Sequence, residues 1–396
     1  MSPRFLFATV FILYELCGYL SNDMFVPAML SMSRDFSVSL DLVQLSIGAW
    51  LIGNGVAQLI LGPLCDRFGR KYVLLWGGGI YALTLIGCSL SLSINEFLFY
   101  RFVQGMSVAS LLVAGYATIH ENFGDREATT ILGFTGSIAF LAPMLGPLLG
   151  ALILEAFSWR GIFAVLCTPT VALLTTLAFI MPQKHRPSRR QNLWDSFADY
   201  AKLLFERAYV FLTIAYGCQL GCLMLWITSS PYLLMKTHGL SEQAYSLWQV
   251  PVFIILALGA LISRVASNKL SLIIIALWGQ CLMVVGALTF MLAAYLNASA
   301  GMLVLALLPL SAGYGVMSSP LVRSAMRAST LDLGLIIAGF FLSIDLIAGS
   351  ASLVIAAIAD SALKLAVFLL VLSASGLLSS ILARPRIKTM RQTKST

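Results

Sequence analysis

Charged residues are scarce in this sequence. Asp, Glu, Lys and Arg make up only 11% of the 396 residues, against about 25% in a typical globular domain, whereas hydrophobic residues make up 59%. A water-soluble surface cannot be built from so few charges, so the classes of aqueous enzymes become poor candidates. Nucleic-acid binding is disfavoured as well, and the formal net charge of +8 must be explained by where the basic residues lie.

Motifs of nucleotide and metal chemistry are also missing. The sequence contains neither a Gly-x4-Gly-Lys-[Ser/Thr] phosphate loop nor a His-Glu-x-x-His helix. Its seven cysteines are odd in number and scattered through apolar runs, which predicts packing residues rather than a disulfide framework. Cys218 and Cys222 share one apolar run but lack the further ligands that zinc needs. We therefore expect no catalytic site, no metal and no organic cofactor.

Apolar runs long enough to cross a bilayer recur along the whole chain. A membrane helix needs about 20 apolar residues, and twelve such runs follow one another with short connections, except between Pro182 and Ala208. The sequence therefore predicts an all-α integral membrane protein. Its predicted helices 1 to 12 span residues 4–26, 41–64, 72–93, 97–120, 128–153, 161–181, 209–235, 242–263, 270–296, 300–322, 333–359 and 362–383.

Lys and Arg are distributed unevenly between the two ends of these helices. With both termini in the cytoplasm, 20 of the 25 lie on the cytoplasmic side, four lie on the opposite side, and Arg101 lies within helix 4. Cytoplasmic loops of membrane proteins carry an excess of Lys and Arg, so this asymmetry predicts cytoplasmic termini and an even number of helices. Topology and contact with anionic lipid then account for the basic charge.

The long connection divides the helices into two sets of six. The predicted domains are an N-terminal bundle, residues 1–181, a cytoplasmic linker, residues 182–208, and a C-terminal bundle, residues 209–396. The linker begins with a basic stretch, and its apolar residues then share one helical face, which predicts a short helix on the membrane surface. A disordered linker is the alternative. The residues on that face are Trp194, Phe197, Ala201, Leu204 and Phe205.

A weak internal repeat supports this division. The stretch from Gly62 to Arg67 ends helix 2, and the similar stretch from Gly259 to Arg264 ends helix 8. Two related halves of six helices are typical of transporters, which bind their substrate near the midplane where the repeats meet. The pattern therefore predicts a transporter.

Four ionisable residues lie inside predicted membrane helices: Glu15, Asp23, Arg101 and Asp345. Such residues cost roughly 3 kcal/mol or more and mark functional sites by default. Asp23 lies about 12 Å beyond Glu15 at 1.5 Å per residue, at the depth of Arg101, so Asp23 and Arg101 could pair. Glu15 has no cation at its depth and should be the easier acid to protonate. We predict that all four take part in proton coupling, with a polar contact between helices as the alternative for each acid.

Three stretches resemble motifs of the major facilitator superfamily. Helix 2 runs into Gly62-Pro-Leu-Cys-Asp66-Arg67-Phe-Gly69-Arg70-Lys71, which is similar to that superfamily's G-x-x-x-D-R-x-G-R-R/K loop. Helix 4 carries Arg101-Phe-Val-Gln104-Gly105, similar to its helix 4 motif. Helix 5 carries Ala142-Pro143-Met-Leu-Gly146-Pro147-Leu-Leu-Gly150, which resembles the antiporter motif of drug/proton exchangers, although Ala151 stands where the pattern usually has a second Gly.

Helix 1 resembles one particular group within this superfamily. The stretch Tyr14-Glu15-Leu-Cys-Gly-Tyr19-Leu-Ser-Asn22-Asp23-Met24 is similar to the MdfA-type multidrug facilitators of the Bcr/CflA-like group. The motifs cover the first half of the chain, and the likeness of the second half rests mostly on topology. The resemblance implies two pseudo-symmetric six-helix bundles that export lipophilic, often cationic compounds in exchange for protons by alternating access.

The resemblance also implies which residues gate this cycle. Gly69 suits a tight turn between helices 2 and 3, and Asp66 is expected at the N-terminus of helix 11, near Asp332, where it would stabilise the outward-open state. Proline and glycine in helix 5 permit a bend and close helix contact. The expected gating residues are Gly62, Asp66, Arg67, Gly69, Arg70, Pro143, Gly146, Pro147 and Gly150.

Substrate contacts are expected from aromatic and polar residues of the inner helices, namely Tyr19, Asn22, Tyr116 and Trp226. The expected partners are a small-molecule substrate, protons as the coupling ion and membrane lipids, without nucleic acid. We expect a multi-pass monomer in the bacterial inner membrane. The alternative is the same fold with a narrow substrate, such as a siderophore, sugar derivative or amino-acid analogue, exported or taken up. A membrane receptor or an integral membrane enzyme is the alternative of a different class.

Overall fold

The computed structural model describes residues 3–182, 200–331, 333–358 and 361–393. Helices occupy almost all of these residues, and we number the twelve long ones α1 to α12. Eleven are long and apolar enough to cross a membrane, and the count is twelve if the bent α5 is one span. They are Pro3–Asp23, Leu40–Phe68, Arg70–Leu90, Ile94–Asn122, Asp125–Ala156 and Trp159–Ile180 (α1 to α6), then Arg207–Thr237, Glu242–Ala266, Leu272–Tyr295, Ala300–Met326, Leu333–Ile358 and Ala362–Thr393 (α7 to α12).

The chain divides into two compact units, Met1–Ser196 and Phe197–Thr396, with six of the long helices in each. The boundary falls within the predicted linker, residues 182–208. Most of the predicted surface helix, with Trp194 and Phe197, lies outside the described residues. Of its described end, Leu203 is buried, whereas Leu204 and Phe205 are exposed.

The first helix ends earlier than its apolar run. Helix α1 stops at Asp23, and the chain continues through a short 3₁₀ helix at Val26–Ala28 and a short α-helix at Met29–Asp35. Pro27 fits the first turn of the 3₁₀ segment because its fixed φ suits a helix start and it needs no backbone donor there. The predicted single helix over residues 4–26 is therefore a broken one that continues to Asp35.

Helix α5 is bent where the sequence places its prolines. Its two parts, Thr130–Gly136 and Leu141–Ala156, differ in direction by 46°. The bend precedes Pro143, as expected because a proline removes one backbone donor and its ring clashes with the preceding turn. Helix α5 nevertheless continues to Ala156 as one element, with Pro143 and Pro147 inside it.

Two helices contain π-helical segments that nothing in the sequence indicated. One interrupts α4 at Leu111–Gly115, immediately before Tyr116, and the other ends α7 at Pro231–Thr237. A π-helical turn holds an extra residue, and such turns are frequent at functional sites. The π-helical turn in α4 therefore marks Tyr116 as a candidate functional residue.

Both units contain a close crossing of two helices in which each helix contributes a glycine, and the second unit has a further one between Gly279 of α9 and Gly313 of α10. In the first unit Gly53 of α2 faces the carbonyl of Phe102, and Gly105 of α4 faces the carbonyl of Trp50. In the second unit Gly259 of α8 and Gly315 of α10 face the carbonyls of Ala312 and Leu256. Gly62, which the sequence repeat aligns with Gly259, has no neighbour within 4 Å of an added Cβ. The repeat itself stays a prediction.

Candidate transport site in the first unit

Glu15 lies at the contact between α1 and α4. Its side chain is 2% exposed, and its Oε1 accepts a hydrogen bond of 2.7 Å from the Tyr116 hydroxyl. Its Oε2 is buried and has no hydrogen-bond partner among the described residues. A buried carboxylate with one open oxygen can take up a proton or attract a cation. Two residues predicted for different roles, proton coupling and substrate contact, thus meet in one pair.

The helices are held together at Glu15 by aromatic packing. Phe11 precedes Glu15 by one helical turn, and its ring meets the Tyr116 ring edge-on with centroids 6.2 Å apart. Gly115 faces the same Phe11 ring, and any side chain at Gly115 would collide with it. The ring of Phe11 and the hydrogen bond to Glu15 therefore hold Tyr116 in place. Gly115 leaves the space that the Phe11 ring occupies.

Arg101 of α4 is fully buried beside the C-terminal end of α1. Its Nη2 donates to Oδ1 of Asn22 at 2.5 Å, and its Nη1 donates to the carbonyl of Ser21 at 3.3 Å and to Oε1 of Gln104. The guanidinium also lies over the Phe25 ring, 4.7 Å from its centroid. A planar guanidinium can satisfy several acceptors at once in this way.

Asp23 does not form the predicted ion pair with Arg101. No ion pair within 4.0 Å involves either residue in the part of the chain that the structure describes. Neighbouring residues of a helix point about 100° apart, and Asn22 is the one that meets the guanidinium. Asp23 is nevertheless buried, and it interacts with Arg101 electrostatically at longer range.

The antiporter-like motif of α5 packs directly on α1 at Asp23. A Cβ placed on Gly146 would lie 2.6 Å from the Cβ of Asp23, and one placed on Gly150 would collide with the carbonyl of Met24. Both glycines are therefore required for the close approach of α5 to the end of α1. A movement of α5 at this contact would displace Asp23. This contact is a physical basis for the gating role that the sequence predicts for Gly146 and Gly150.

The loop between α2 and α3 consists of one residue. Gly69 has φ of 87°, a conformation that L side chains rarely adopt, so α2 ends at Phe68 and α3 begins at Arg70. Arg70 forms an ion pair of 2.9 Å with Glu121 at the end of α4. No sequence motif indicated Glu121, although it lies on the same predicted side of the membrane.

Other residues of the loop make local contacts. Lys71 donates to the carbonyl of Met181 after α6 at 3.3 Å, and the Arg67 guanidinium lies 5.1 Å from the centroid of the Phe68 ring. The predicted contact of Asp66 with the start of helix 11 stays a prediction, because Asp332 lies outside the described residues.

At the opposite end of the first unit, a second ion pair joins three segments. Asp35 accepts from Arg160 and, at 2.9 Å, from Nε1 of Trp159, both at the start of α6. Arg160 also donates to the carbonyl of Ser91 after α3 at 2.9 Å. This contact ties the segment after α1 to α3 and α6.

The remaining predicted site residues behave differently. Tyr19 is partly exposed and near enough to Tyr116 to interact electrostatically. Trp226 and Asp345 belong to the second unit. Trp226 is fully buried, donates to Oε1 of Gln249 at 2.9 Å and meets Phe290 edge-on. These contacts give Trp226 a packing role, and its contact with substrate stays a prediction.

Comparison with known families decides the identity of the fold. The family model described as Major Facilitator Superfamily matches residues 11–330. This chain belongs to the major facilitator superfamily. Both the resemblance and the fold class predicted from the sequence are confirmed. Members of this superfamily are transporters rather than enzymes, so the chain is a multi-pass membrane transporter of small molecules.

Its relatives within the superfamily include drug transporters. The chloramphenicol resistance protein CraA of Acinetobacter baumannii is 33% identical over 359 residues, which cover 86% of this chain and 85% of that protein. The multidrug transporter MdfA of Edwardsiella ictaluri is 33% identical over 341 residues, covering 83% and 81%. The protein of the same name from Yersinia pestis is 32% identical over 339 residues, with the same coverage.

Solved structures show the same fold at low sequence identity. The xylose transporter XylE from E. coli, in a partially occluded inward open conformation, has a TM-score of 0.76 at 15% identity and covers 96% of this chain and 97% of its own. A bacterial homologue of the lysosomal transporter Spinster has a TM-score of 0.74 at 13% identity, covering 98% of each chain. At such identity the likeness concerns the fold alone.

Proposed function

We propose that this chain exports lipophilic, often cationic compounds across the bacterial inner membrane in exchange for protons, with both termini in the cytoplasm. The names of the relatives, a chloramphenicol resistance protein and multidrug transporters, support drug export. The observation that carries the coupling proposal is the buried Glu15 carboxylate, which has Tyr116 on one oxygen and no hydrogen-bond partner on the other.

Competition for Glu15 provides the exchange. When Glu15 is ionised, Tyr116 satisfies Oε1, and Oε2 remains for a proton, for the charge of a cationic substrate or for a hydrogen-bond donor of a neutral one. These ligands compete for the same oxygen, so each displaces the other. Burying a bare carboxylate is costly, and the transporter therefore changes conformation only when Glu15 carries one of them.

Asp23 and Arg101 connect protonation of α1 to the contact with α5. A proton on Asp23 changes the charge next to a guanidinium that Asn22, Ser21 and Gln104 hold in place. Because Gly146 and Gly150 allow α5 to pack closely on this end of α1, a change in the charge of Asp23 alters the contact with the bent helix α5. Alternating access then follows the protonation of two carboxylates on one helix. The proton is the coupling ion, and no other cofactor is required.

Transport by the full-length protein in proteoliposomes tests the proposal. An imposed pH gradient should drive uptake of tetraphenylphosphonium and chloramphenicol into inverted vesicles, and addition of either compound should accelerate dissipation of the gradient. Glu15→Gln and Asp23→Asn should each abolish this proton-driven exchange, because the neutral amide carries no proton that a substrate can displace.

The matched control is Glu127→Gln, which neutralises an exposed acid in the first turn of α5. It should behave like wild type. Wild-type active transport by the Glu15→Gln/Asp23→Asn double variant would remove the proposed coupling. Transport restricted to one compound class would instead identify a transporter with a narrow substrate.

A further inference from the structure

The second unit buries one acidic side chain between its helices. Among the described residues of this unit, Asp345 is the one charged side chain that is buried, with 5% of its surface exposed. It lies about halfway along α11, far from both helix ends. A buried carboxylate in this position carries a large cost unless it serves a ligand, a proton or a structural contact.

Three aromatic rings from three helices of this unit meet at Tyr216. Tyr216 of α7 lies with its ring centroid 5.2 Å from that of Phe340 in α11 and 6.3 Å from that of Tyr314 in α10. The hydroxyl oxygens of the two tyrosines are 3.4 Å apart. Tyr314 and Phe340 are buried, whereas Tyr216 is partly exposed. Tyr216 is therefore the ring that can be reached from outside the cluster.

Close packing of α7 on α11 places Asp345 at the depth of Tyr216 along the two helices. A Cβ on Gly217 would lie 3.0 Å from the Cβ of Ile347, and one on Gly221 would lie 3.6 Å from the Cβ of Ala351. The two helices therefore run side by side in one register. In that register Tyr216 is level with residue 346, adjacent to Asp345, and the two side chains interact electrostatically.

This combination of groups is suited to one class of ligand. Aromatic faces attract cations within about 6 Å of the ring centroid, and the attraction is larger where water is excluded. A carboxylate adds a charge of the opposite sign at low dielectric. One carboxylate and two hydroxyls supply fewer oxygens than the six to eight that Ca²⁺ takes. A lipophilic organic cation needs only the rings and the charge.

We propose that Tyr216, Tyr314, Phe340 and Asp345 form a binding site for lipophilic organic cations within the second unit. This proposal rests on the proposed function, since it names the substrate class that this unit selects. Tyr216 and Phe340 contact each other in the present structure, so the cation enters when the partly exposed Tyr216 ring rotates away. The chemistry at Glu15 serves the exchange of protons, and the cluster in the second unit gives the preference for cations.

Binding to the purified full-length protein in detergent tests the proposal. The probes are tetraphenylphosphonium and triphenylphosphine oxide, which are alike in aromatic groups and differ in charge, and the readout is the ratio of their dissociation constants. Asp345→Asn should reduce the preference for the cation about tenfold, and Tyr216→Leu or Phe340→Leu should reduce it about three- to tenfold. Tyr216→Phe keeps the ring and should retain the preference.

The control is Tyr209→Phe, on the same helix but outside the cluster. The Tyr209 hydroxyl donates to the carbonyl of Ile336 at 2.8 Å, so this variant removes a buried contact between α7 and α11 without touching the cluster. Its ratio should match wild type. Thermal melting of each variant shows which ones fold, and Phe340→Leu tests the site with the carboxylate present if Asp345→Asn does not fold.

Three results would overturn the site. One is a ratio that Asp345→Asn and Phe340→Leu leave unchanged. Another is a Tyr216→Phe variant as impaired as Tyr216→Leu, which would assign the effect to a hydroxyl contact. The third is an unchanged ratio with fewer protons released per substrate in Asp345→Asn, which would make Asp345 a proton carrier only. If wild type binds neither probe and transports neither tetraphenylphosphonium nor chloramphenicol, the proposed function itself fails.

Discussion

The two units share a scaffold and differ in chemistry. Each contains a crossing with glycine contacts in both directions, Gly53 with Gly105 in the first unit and Gly259 with Gly315 in the second, which has another at Gly279 and Gly313. The first unit buries Glu15, Asp23 and Arg101, whereas the described part of the second buries one charged residue, Asp345. A duplicated architecture thus allows the two halves to bury different sets of charged side chains.

The largest expected effect concerns the scaffold that the units share. Gly105→Ala and Gly315→Ala should each destabilise the protein strongly, because the added Cβ would collide with backbone carbonyls that cannot move aside. Overpacking costs about 1–3 kcal/mol, occasionally more. Thermal melting in detergent should show large losses of similar size for both variants.

Gly62→Ala is the matched control, since its Cβ would have no neighbour within 4 Å. In a helix interior alanine is favoured over glycine by about 1 kcal/mol, so this variant should melt at or above the wild-type temperature. If Gly315→Ala melts like Gly62→Ala, the two crossings are not equivalent.

The next effect concerns the chemistry that distinguishes the first unit. Arg101→Ala removes the shared donor of Asn22, Ser21 and Gln104 and should reduce turnover about a hundredfold, because several buried acceptors lose their partner at 1–3 kcal/mol each. Arg101→Lys should rescue only part of the rate, since an ammonium cannot reach all three acceptors. Initial rates of proton-driven transport measure both variants. Arg264→Ala, an exposed cation at the end of α8, should be close to wild type, and a similar rate in Arg101→Ala would refute the role of Arg101.

A smaller effect is expected where α3 meets α4. Arg70 and Glu121 are only partly buried, with 32% and 39% of their side chains exposed, and such pairs contribute about 0.2–1 kcal/mol. Glu121→Gln should therefore slow turnover up to about fivefold and leave the dissociation constant of tetraphenylphosphonium unchanged. The exchanged pair Arg70→Glu/Glu121→Arg should recover part of the rate. A loss of affinity at an unchanged maximal rate would argue against gating.

The smallest effect belongs to the contact between Asp35 and Arg160. This pair is also partly exposed, with 32% and 45% of the two side chains accessible, so Asp35→Asn should lower the free energy of unfolding by at most about 1 kcal/mol. A double-mutant cycle with Arg160→Gln isolates the coupling between the two side chains. Transport rates should stay at the wild-type level. A large loss of transport in Asp35→Asn would show that the charged chemistry of the first unit extends to this end.

Apolar length predicted the helices well, because burying twelve long runs in lipid leaves few alternatives. It missed the break after Asp23, the π-helical turn before Tyr116 and the extent of α12, since packing and local backbone geometry set these. The ionisable residues of α1 and α4 were found from their cost in a membrane. Their hydrogen-bond partners were not found from the sequence. Depth along the helix suggested Asp23 as the partner of Arg101. The rotation of α1 about its axis, which only packing fixes, instead turns Asn22 toward Arg101.

The central claim is that Glu15 exchanges substrate for a proton. Proton release from detergent-solubilised protein in weakly buffered solution, on addition of tetraphenylphosphonium, tests it most directly. Wild type should release protons in proportion to the substrate bound, and Glu15→Gln should bind with little or no release. Undiminished release from the Glu15→Gln/Asp23→Asn double variant would contradict the account.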